Sequence, residues 1–266
     1  MIVGAVMSIW RNRRLIAQLT VRDVLGRYRG SAGGLLWSLV NPLLMLAVYT
    51  FVFSVVFKAR WAGAETGSTP EFALLLFSGM SIHAMFAECI NKGPGLILAN
   101  ANYVKKVVFP IEILPVVALC SAVFHLTISL LILIVAHWFM AGIDVGFLWL
   151  IVILPPFLLL TAGVTWFLAA TGVYVRDIGQ TTTLLTTLLL FLSPVFYPVS
   201  ALPERIQPLL HLNPLTFIME QTRAVLIWGQ VPDFIGLAVY SLVAMLFAIG
   251  GLVWFQRTRS GFADVL

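Results

Sequence analysis

The sequence predicts an all-α integral membrane protein: six transmembrane helices, an amphipathic interface helix before the first span, and two short re-entrant outer helices. Composition is the first reason, because 61% of the residues are hydrophobic and only 10% are charged, whereas soluble domains carry about 25% charged residues. Long charge-free runs are the second, since about 20 apolar residues cross a bilayer. In lipid each backbone polar group must be satisfied within its own segment, so each run is expected to be a helix.

Six such runs define a single transmembrane domain covering residues 1–266. We place the spans at 34–58, 71–90, 111–140, 147–174, 180–200 and 233–256. An even number of spans puts both termini on one side of the membrane. Of the 16 Lys and Arg residues, all except Lys58, Arg60, Arg205 and Arg223 fall on that side. The positive-inside rule then predicts cytoplasmic N- and C-termini.

Residues 10–29 precede the first span and are expected to form an amphipathic helix in the membrane interface. Its apolar face has members at helical spacing: Ala17, Val21, Val24, Leu25 and Tyr28. Arg22, Arg27 and Arg29 point elsewhere, and Asp23 and Arg27 have the i,i+4 spacing of a helical ion pair. Glycines from Gly30 onward then let the backbone turn into the membrane.

The segment between the last two spans, 203–228, differs from the other loops. It is apolar but interrupted by prolines, and neither the piece before Asn213-Pro214 nor the piece after it is long enough to span. Glu220 and Arg223 lie within the second piece. Two short helices entering the outer side of the membrane fit this pattern, and backbone of this kind is tolerated only against protein or a water-filled cavity. An outer closure element is favoured here over a passive loop.

The sequence lacks the residues that several classes of function require. Proton-coupled transport needs a membrane relay, and the candidates Glu88, Glu112, His83, His125 and His137 form no obvious series. Glu88 is expected to pair with Lys92, and His125 to donate one hydrogen bond between helices. Cys89 and Cys120 are expected to be small apolar packing residues. No Gly-Lys pair occurs, so the chain has no phosphate-binding P-loop, and no spacing suggests a metal site. Any ATP hydrolysis would belong to another subunit.

Aromatic residues concentrate in the first span and near the outer end of the fifth. Part of them belong to the interfacial aromatic belt. A surplus facing inward would suit sugars, whose apolar ring faces stack on aromatic side chains. The candidates for such a lining are Trp37, Tyr49, Phe53, Phe191, Phe196 and Tyr197.

Five segments together resemble the membrane subunit of ABC-2 type polysaccharide exporters, which move lipid-linked O-antigen, capsule polymers and teichoic acids. They occur in the family's order and spacing over nearly the whole chain: LTVRDVLGRYRGSAGGLLWSLVNPLLMLAVYTFVFSVVFK, ANANYVKKVVFPIEILP, YVRDIGQ, LSPVFYPVSALP and NPLTFIMEQTRAVL. A single short match would not identify the family, but five matches in the family's order and spacing are specific evidence for it.

The resemblance implies a homodimer in the bacterial inner membrane, joined to two copies of a separate ATPase subunit that holds ATP and Mg²⁺; the chain itself needs no cofactor and binds no nucleic acid. Residues 96–106 are similar to the family's coupling helix and 203–228 to its outer gate helices. The implied coupling residues are Asn102, Tyr103, Lys105, Lys106, Arg176 and Asp177. The implied gate residues are Pro203, Asn213, Pro214, Glu220 and Arg223.

The resemblance also implies a glycan on an undecaprenyl diphosphate carrier, whose headgroup would enter at Arg22, Arg27, Tyr28 and Arg29. Arginine pairs phosphate oxygens bidentately, which agrees with this role. The same arginines would equally serve as topology signals bound to anionic lipid, and both interpretations stay open. Two other functions also stay open: an ABC-2 exporter of a small hydrophobic compound, and a polytopic enzyme acting on lipid-linked glycans.

Overall fold

The computed structural model describes residues 2–56, 69–106, 109–142 and 145–266. Over these residues the chain is helical and contains no strand, so the all-α class is confirmed. The helices are α1 Ile2–Arg11, α2 Arg13–Tyr28, α3 Trp37–Tyr49, α4 Thr69–Lys92, α5 Leu96–Ala99, α6 Ala101–Lys106, α7 Leu114–Ala141, α8 Leu150–Tyr174, α9 Ile178–Leu192, α10 Gln207–His211, α11 Pro214–Leu226, α12 Phe234–Thr258 and α13 Phe262–Val265.

Five helical segments in the described part of the chain are long and apolar enough to cross a membrane. They are Gly34–Phe53, Glu71–Ala99, Ile111–Ala141, Gly146–Tyr174 and Phe234–Val265, and each overlaps one of the expected spans. The sixth, α9, is apolar but has only 15 residues. It ends at Leu192, before the expected boundary at 200, because Ser193 takes an extended conformation and Pro194 follows it.

The segment around α4 forms the centre of the bundle, and the first span lies at its margin. In their most apolar stretches, 78% of the α4 segment is buried, against 6% of the first span. Within α3 itself, Ser38 is the one buried residue. Pro42 interrupts the α3 hydrogen bonding, and the helix continues as a π-helical turn over Thr50–Val56. The first span is therefore irregular and carries a large uncovered surface.

Helices α8 and α12 cross at two glycines. A side chain at Gly163 would collide with the backbone at Phe247, and one at Gly251 would collide with the backbone of Gly163. Small residues let transmembrane helices approach closely, and the gain is dispersion contact along the whole crossing. This pair forms the side of the bundle opposite the first span.

The interface helix differs from the prediction in two ways. The expected single helix over 10–29 is divided at Asn12, whose backbone leaves the helical region at φ −92° and ψ 16°. The Asn12 side chain donates a hydrogen bond to the Ser8 carbonyl at 2.8 Å beside the backbone amide. The buried face of α2 consists of Ile16, Leu19 and Val24, and the first two pack on Ile113 and Val117. The predicted apolar face shares only Val24 with this buried face, and Val21 and Leu25 are 57% and 51% exposed, on a side that an interfacial helix can turn toward lipid.

A buried arginine fastens α11 to the rest of the protein. Arg223 is 1% exposed, and its guanidinium donates hydrogen bonds to the carbonyls of Leu75, Pro194 and Val195. Leu75 lies in α4, whereas Pro194 and Val195 belong to the break after α9. A planar fork with five donors is suited to this arrangement. Three separate segments are thereby held at the end of the bundle that we call the gate end.

We expect Arg223→Met to lower the free energy of unfolding by about 4 kcal/mol, because three buried carbonyls lose a charged donor. The melting temperature of the detergent-solubilised protein should fall by about 10 °C. Arg205→Met is the matched control, since Arg205 is exposed and its replacement should change stability by less than about 0.5 kcal/mol. Equal melting temperatures for the two variants would contradict the assigned role of Arg223.

Candidate functional site

A cavity of about 990 Å³ lies between α2, α3, α4 and α7. It follows one face of α4 from Phe77 to Lys92, a rise of roughly 22 Å at the helical repeat. The first span supplies Ser38, Asn41 and Tyr49 at helical spacing. The cavity is thus longer than one leaflet of the hydrocarbon core, which is about 15 Å thick, and it is lined by polar, aromatic and apolar groups together.

One end of this cavity is charged, and we call it the mouth: Arg22, Asp23, Arg27, Glu88, Lys92 and His125. Arg27 Nη1 lies 2.9 Å from Glu88 Oε1, and Lys92 Nζ lies 2.8 Å from Asp23 Oδ2. Lys92 also approaches the same Glu88 oxygen at 3.6 Å. These contacts tie the interface helix α2 to the end of α4.

His125 joins the mouth from α7. Its Nδ1 donates a hydrogen bond to Glu88 Oε2 at 2.9 Å, so the expected hydrogen bond of His125 between helices is present. The expected Glu88–Lys92 pair is also present, but Arg27 and His125 bind Glu88 at shorter distance. The prediction of an Asp23–Arg27 ion pair was wrong, because Asp23 binds Lys92 and Arg27 binds Glu88, both on α4. Tertiary contact here replaces the local i,i+4 pairing.

The four residues expected to contact a headgroup are only partly brought together. Arg22, Arg27 and Tyr28 line the cavity, and Arg22 Nη1 donates to the Tyr103 hydroxyl at 3.1 Å. Burial raises the pKa of the Tyr28 hydroxyl, so that it stays protonated and able to donate. Arg29 is exposed and lies outside the lining, at the end of α2. Gly30 turns the chain away at φ 85°, a conformation that favours glycine.

The aromatic candidates divide into three groups. Tyr49 lines the cavity. Phe53, Phe196 and Phe191 form a cluster at the gate end, with ring centroids 6.2 Å and 5.8 Å apart. The Tyr197 hydroxyl there donates to the Phe191 carbonyl at 2.8 Å. Trp37 lies apart from both groups, where it packs over Gly33.

The gate residues hold the two short helices in place. Asn213 caps α11 by accepting from the Leu215 amide at 3.0 Å, and it donates to Ser193 Oγ at 2.8 Å. Pro214 occupies the first turn of α11, and the Pro203 carbonyl accepts from Ile206 in the turn before α10. Glu220 is half-buried beside the fully buried Arg223. These contacts attach the segment to α9 and α4.

The coupling candidates lie together at the end of the bundle opposite the gate end, which we call the basic end. The expected helix 96–106 is two helices, divided at Asn100, whose side chain donates to the Leu96 carbonyl at 2.8 Å. Asn102 is exposed, while Tyr103 stacks on Phe109 with centroids 4.6 Å apart. Lys105 and Lys106 end α6, but their side chains lie outside the described part of the structure.

Arg176 and Asp177 are also at the basic end, exposed between α8 and α9. The turn before α5 packs closely there, because a side chain at Gly172 would collide with the backbone of Pro94. The exposed residues Asn102, Arg176 and Asp177 therefore lie at the same end of the molecule.

Sequence reasoning missed part of the cavity. Asn41, Ser81, Asn91 and Ser129 line it, yet they attracted no attention as isolated polar residues in apolar runs. A usable signal was available in α3, where Ser38, Asn41, Met45 and Tyr49 recur at three- and four-residue spacing. Glu88 was assigned only to an ion pair, because the approach of α2 and α7 is not visible in the sequence.

Comparison with known proteins places these features in context. A sequence model described as ABC-2 type transporter matches residues 14–227. The chain is 27% identical to an O-antigen export system permease protein of Myxococcus xanthus over 98% of this chain and 99% of that protein. It is 26% identical to an O-antigen export system permease protein of Klebsiella pneumoniae over 95% of both.

A third relative is a capsule polysaccharide export inner-membrane protein of Neisseria meningitidis serogroup B. It is 23% identical over 94% of this chain and 96% of its own length. All three alignments include the cavity and both ends of the bundle, since they cover nearly the whole chain.

We expect the cavity to contain water in the membrane, and cysteine labelling tests this. With Cys89 and Cys120 replaced by alanine, Asn41→Cys should react with a charged thiol reagent at least about tenfold faster than Leu44→Cys, because only a thiol in water ionises readily. Both positions are exposed on α3, but Asn41 lines the cavity and Leu44 lies outside its lining. Equal labelling rates would mean that the cavity is dry or filled.

Proposed function

Because the chain belongs to the ABC-2 type transporter family, whose model covers residues 14–227, we propose that it is the membrane subunit of an ATP-driven exporter of lipid-linked polysaccharide. The first candidate substrate is O-antigen, which the names of two relatives include, and we propose that undecaprenyl diphosphate carries it. The chain is a transporter subunit and not an enzyme. An ABC ATPase subunit is its partner by family, and ATP and Mg²⁺ would bind to that partner.

The cavity is the observation that carries this proposal. A lipid-linked glycan needs cationic donors for its diphosphate and an adjoining path that accepts both hydroxyls and sugar ring faces. The mouth offers Arg22, Arg27 and Lys92, and the remainder offers Asn41, Tyr49 and other polar groups between apolar ones. A charged residue inside the membrane carries a large desolvation cost. Charged residues found there therefore indicate a function.

The arginine fork supports a phosphate-bearing headgroup in particular. Arg27 is 52% exposed although it already contacts Glu88, so most of its five donors remain available to a ligand. Guanidinium groups bind phosphate oxygens through parallel, charge-assisted hydrogen bonds. The Tyr28 hydroxyl adds a neutral donor beside them. A topology signal alone would not require these groups to line a cavity.

We propose further that two copies of the chain assemble side by side in the inner membrane with both termini in the cytoplasm, joined to two ATPase subunits. The uncovered face of the first span supports the homodimer, as does the exposed face of α9 with Leu184, Leu188 and Phe191. A second copy against these helices would close the cavity laterally. The gate end would then face outward and the basic end would face the ATPase.

Capsule polymer is the second candidate substrate, because a capsule polysaccharide exporter is among the relatives. The mouth would serve any polymer whose lipid anchor carries phosphate. Complementation separates the two candidates: expression of this chain with its ATPase partner should restore surface polymer in a strain lacking either the O-antigen or the capsule exporter. Restored O-antigen is the expected result, and restored capsule alone would replace the first candidate with the second.

A bulky side chain in the cavity should block export. Ala84 lines the cavity on α4 and is exposed, so Ala84→Trp should lower surface polymer at least about tenfold by occupying the path. The control is Ala238→Trp, at an exposed alanine of α12 outside the cavity lining. Normal export in Ala84→Trp, at equal protein level, would show that the polymer follows another route.

Charge reversal in α6 should uncouple this chain from its ATPase partner and abolish export. Lys105→Glu combined with Lys106→Glu is expected to abolish substrate-stimulated ATPase activity while the chain still inserts, because these residues end the segment proposed to contact the ATPase. Arg13→Glu combined with Arg14→Glu makes the same change in charge at exposed positions of α2. Normal export by the Lys105/Lys106 variant would place the coupling contact elsewhere.

A further inference from the structure

The chain continues past its last expected span and stays packed on the bundle. The apolar helical segment Phe234–Val265 has 32 residues, whereas about 20 residues cross a bilayer. Its last part is a 3₁₀ turn at Arg259–Gly261 followed by α13. Phe262 at the start of α13 is fully buried, although the three residues after it are exposed. We call residues 258–266 the clamp segment.

The clamp segment packs on the first proposed coupling segment, 96–106. The Phe262 ring lies in one buried cluster with Ile97 of α5 and Phe255 of α12, and the Phe262 and Phe255 ring centroids are 5.6 Å apart. Ile97 is also fully buried. The backbone of α13 lies beside α6 as well. Both helices of the first coupling segment therefore lie against the clamp segment.

The clamp segment also holds the end of α8, which leads directly into the second proposed coupling segment, 176–177. The Tyr174 hydroxyl donates a hydrogen bond to the Thr258 carbonyl at 2.8 Å, and the Tyr174 and Phe262 ring centroids are 6.0 Å apart. A side chain at Gly261 would collide with the Tyr174 hydroxyl. The position of the second coupling segment therefore depends on these contacts.

We propose that Phe262 is a positioning residue that makes the two coupling segments move as one body with the last transmembrane helix. This inference rests on the proposed function, because it assumes that an ATPase subunit pushes on both segments. Close-packed protein interiors transmit displacement. The clamp segment continues from α12, which is itself packed tightly on α8 at Gly163 and Gly251. A push on either coupling segment therefore reaches α8 and α12 together.

The Phe262 ring acts through its neighbours and not through the ATPase surface. It has no exposed area, whereas Asn102 and Arg176 on the two coupling segments are exposed. Removing the ring leaves a cavity among α5, α8 and α12 into which the coupling segments can shift. The partner would still bind and hydrolyse ATP, but less of the displacement would reach the transmembrane helices.

The test measures ATP hydrolysis and polymer transport in the same inside-out vesicles. These contain the full-length chain, the ATPase subunit that co-purifies with it, and O-antigen on undecaprenyl diphosphate. The readout is the amount of polymer transported per ATP hydrolysed, because a variant that merely unfolds lowers both quantities together and leaves their ratio unchanged. In Phe262→Ala this ratio should fall about tenfold, within the range by which a contact between two sites changes their coupling.

Two further variants separate positioning from folding. Tyr174→Phe removes only the hydroxyl that binds the Thr258 carbonyl, at a residue that is 45% exposed. It should lower the ratio about threefold, and it carries the test should Phe262→Ala not assemble. Phe262→Leu keeps a large apolar side chain in the cluster and should restore at least about half of the wild-type ratio.

The matched control is Phe157→Ala. Phe157 is fully buried like Phe262, but it lies in a separate cluster in the first half of α8, so the ratio should not change. A wild-type ratio in both Phe262→Ala and Tyr174→Phe, or an equal loss in Phe157→Ala, would overturn this inference and leave the proposed function standing. A wild-type complex that hydrolyses ATP without moving polymer would overturn the proposed function, and the role of Phe262 with it.

Discussion

The contact between Arg27 and Glu88 connects the parts of this protein that matter for transport. It joins the interface helix to the central helix of the bundle, 2.9 Å between the charged atoms, and the cavity begins at this junction. Charges next to lipid are stable only when paired or hydrated. The pair therefore holds α2 in place and at the same time brings charge to the mouth of a cavity that is otherwise mostly uncharged.

The gate end and the mouth each contain an arginine, and the charge of the two arginines is stabilised in different ways. At the gate end, Arg223 is fully enclosed and is satisfied by three backbone carbonyls from two other segments. Such an arrangement is rigid, because each of these hydrogen bonds from the guanidinium ends on a backbone carbonyl, which is fixed in place. At the mouth, Arg27 is half-exposed and binds a carboxylate that has other partners. One arginine is suited to structure and the other to exchange of partners.

Much of the architecture followed from local pattern. The positions of the five long helices could be predicted because lipid forces each apolar run into a helix. The prolines in the segment before the last span likewise indicated that it is divided. The orientation of α2 was not accessible. Its apolar residues occupy more than one face, and the face that packs on α7 is chosen by contact with Ile113 and Val117. The spacing of apolar residues in the sequence predicted a different face, which is exposed in the structure.

The sequence by itself determined the class of protein, the helical segments and the family, because hydrophobic length and motif order are properties of the chain alone. Only the tertiary structure decided which polar groups share a cavity. Arg27, Glu88 and His125 lie on three different helices, and their approach depends on packing between segments far apart in sequence. For that reason Glu88 appeared in the sequence as half of a local ion pair, and in the structure as the centre of the mouth.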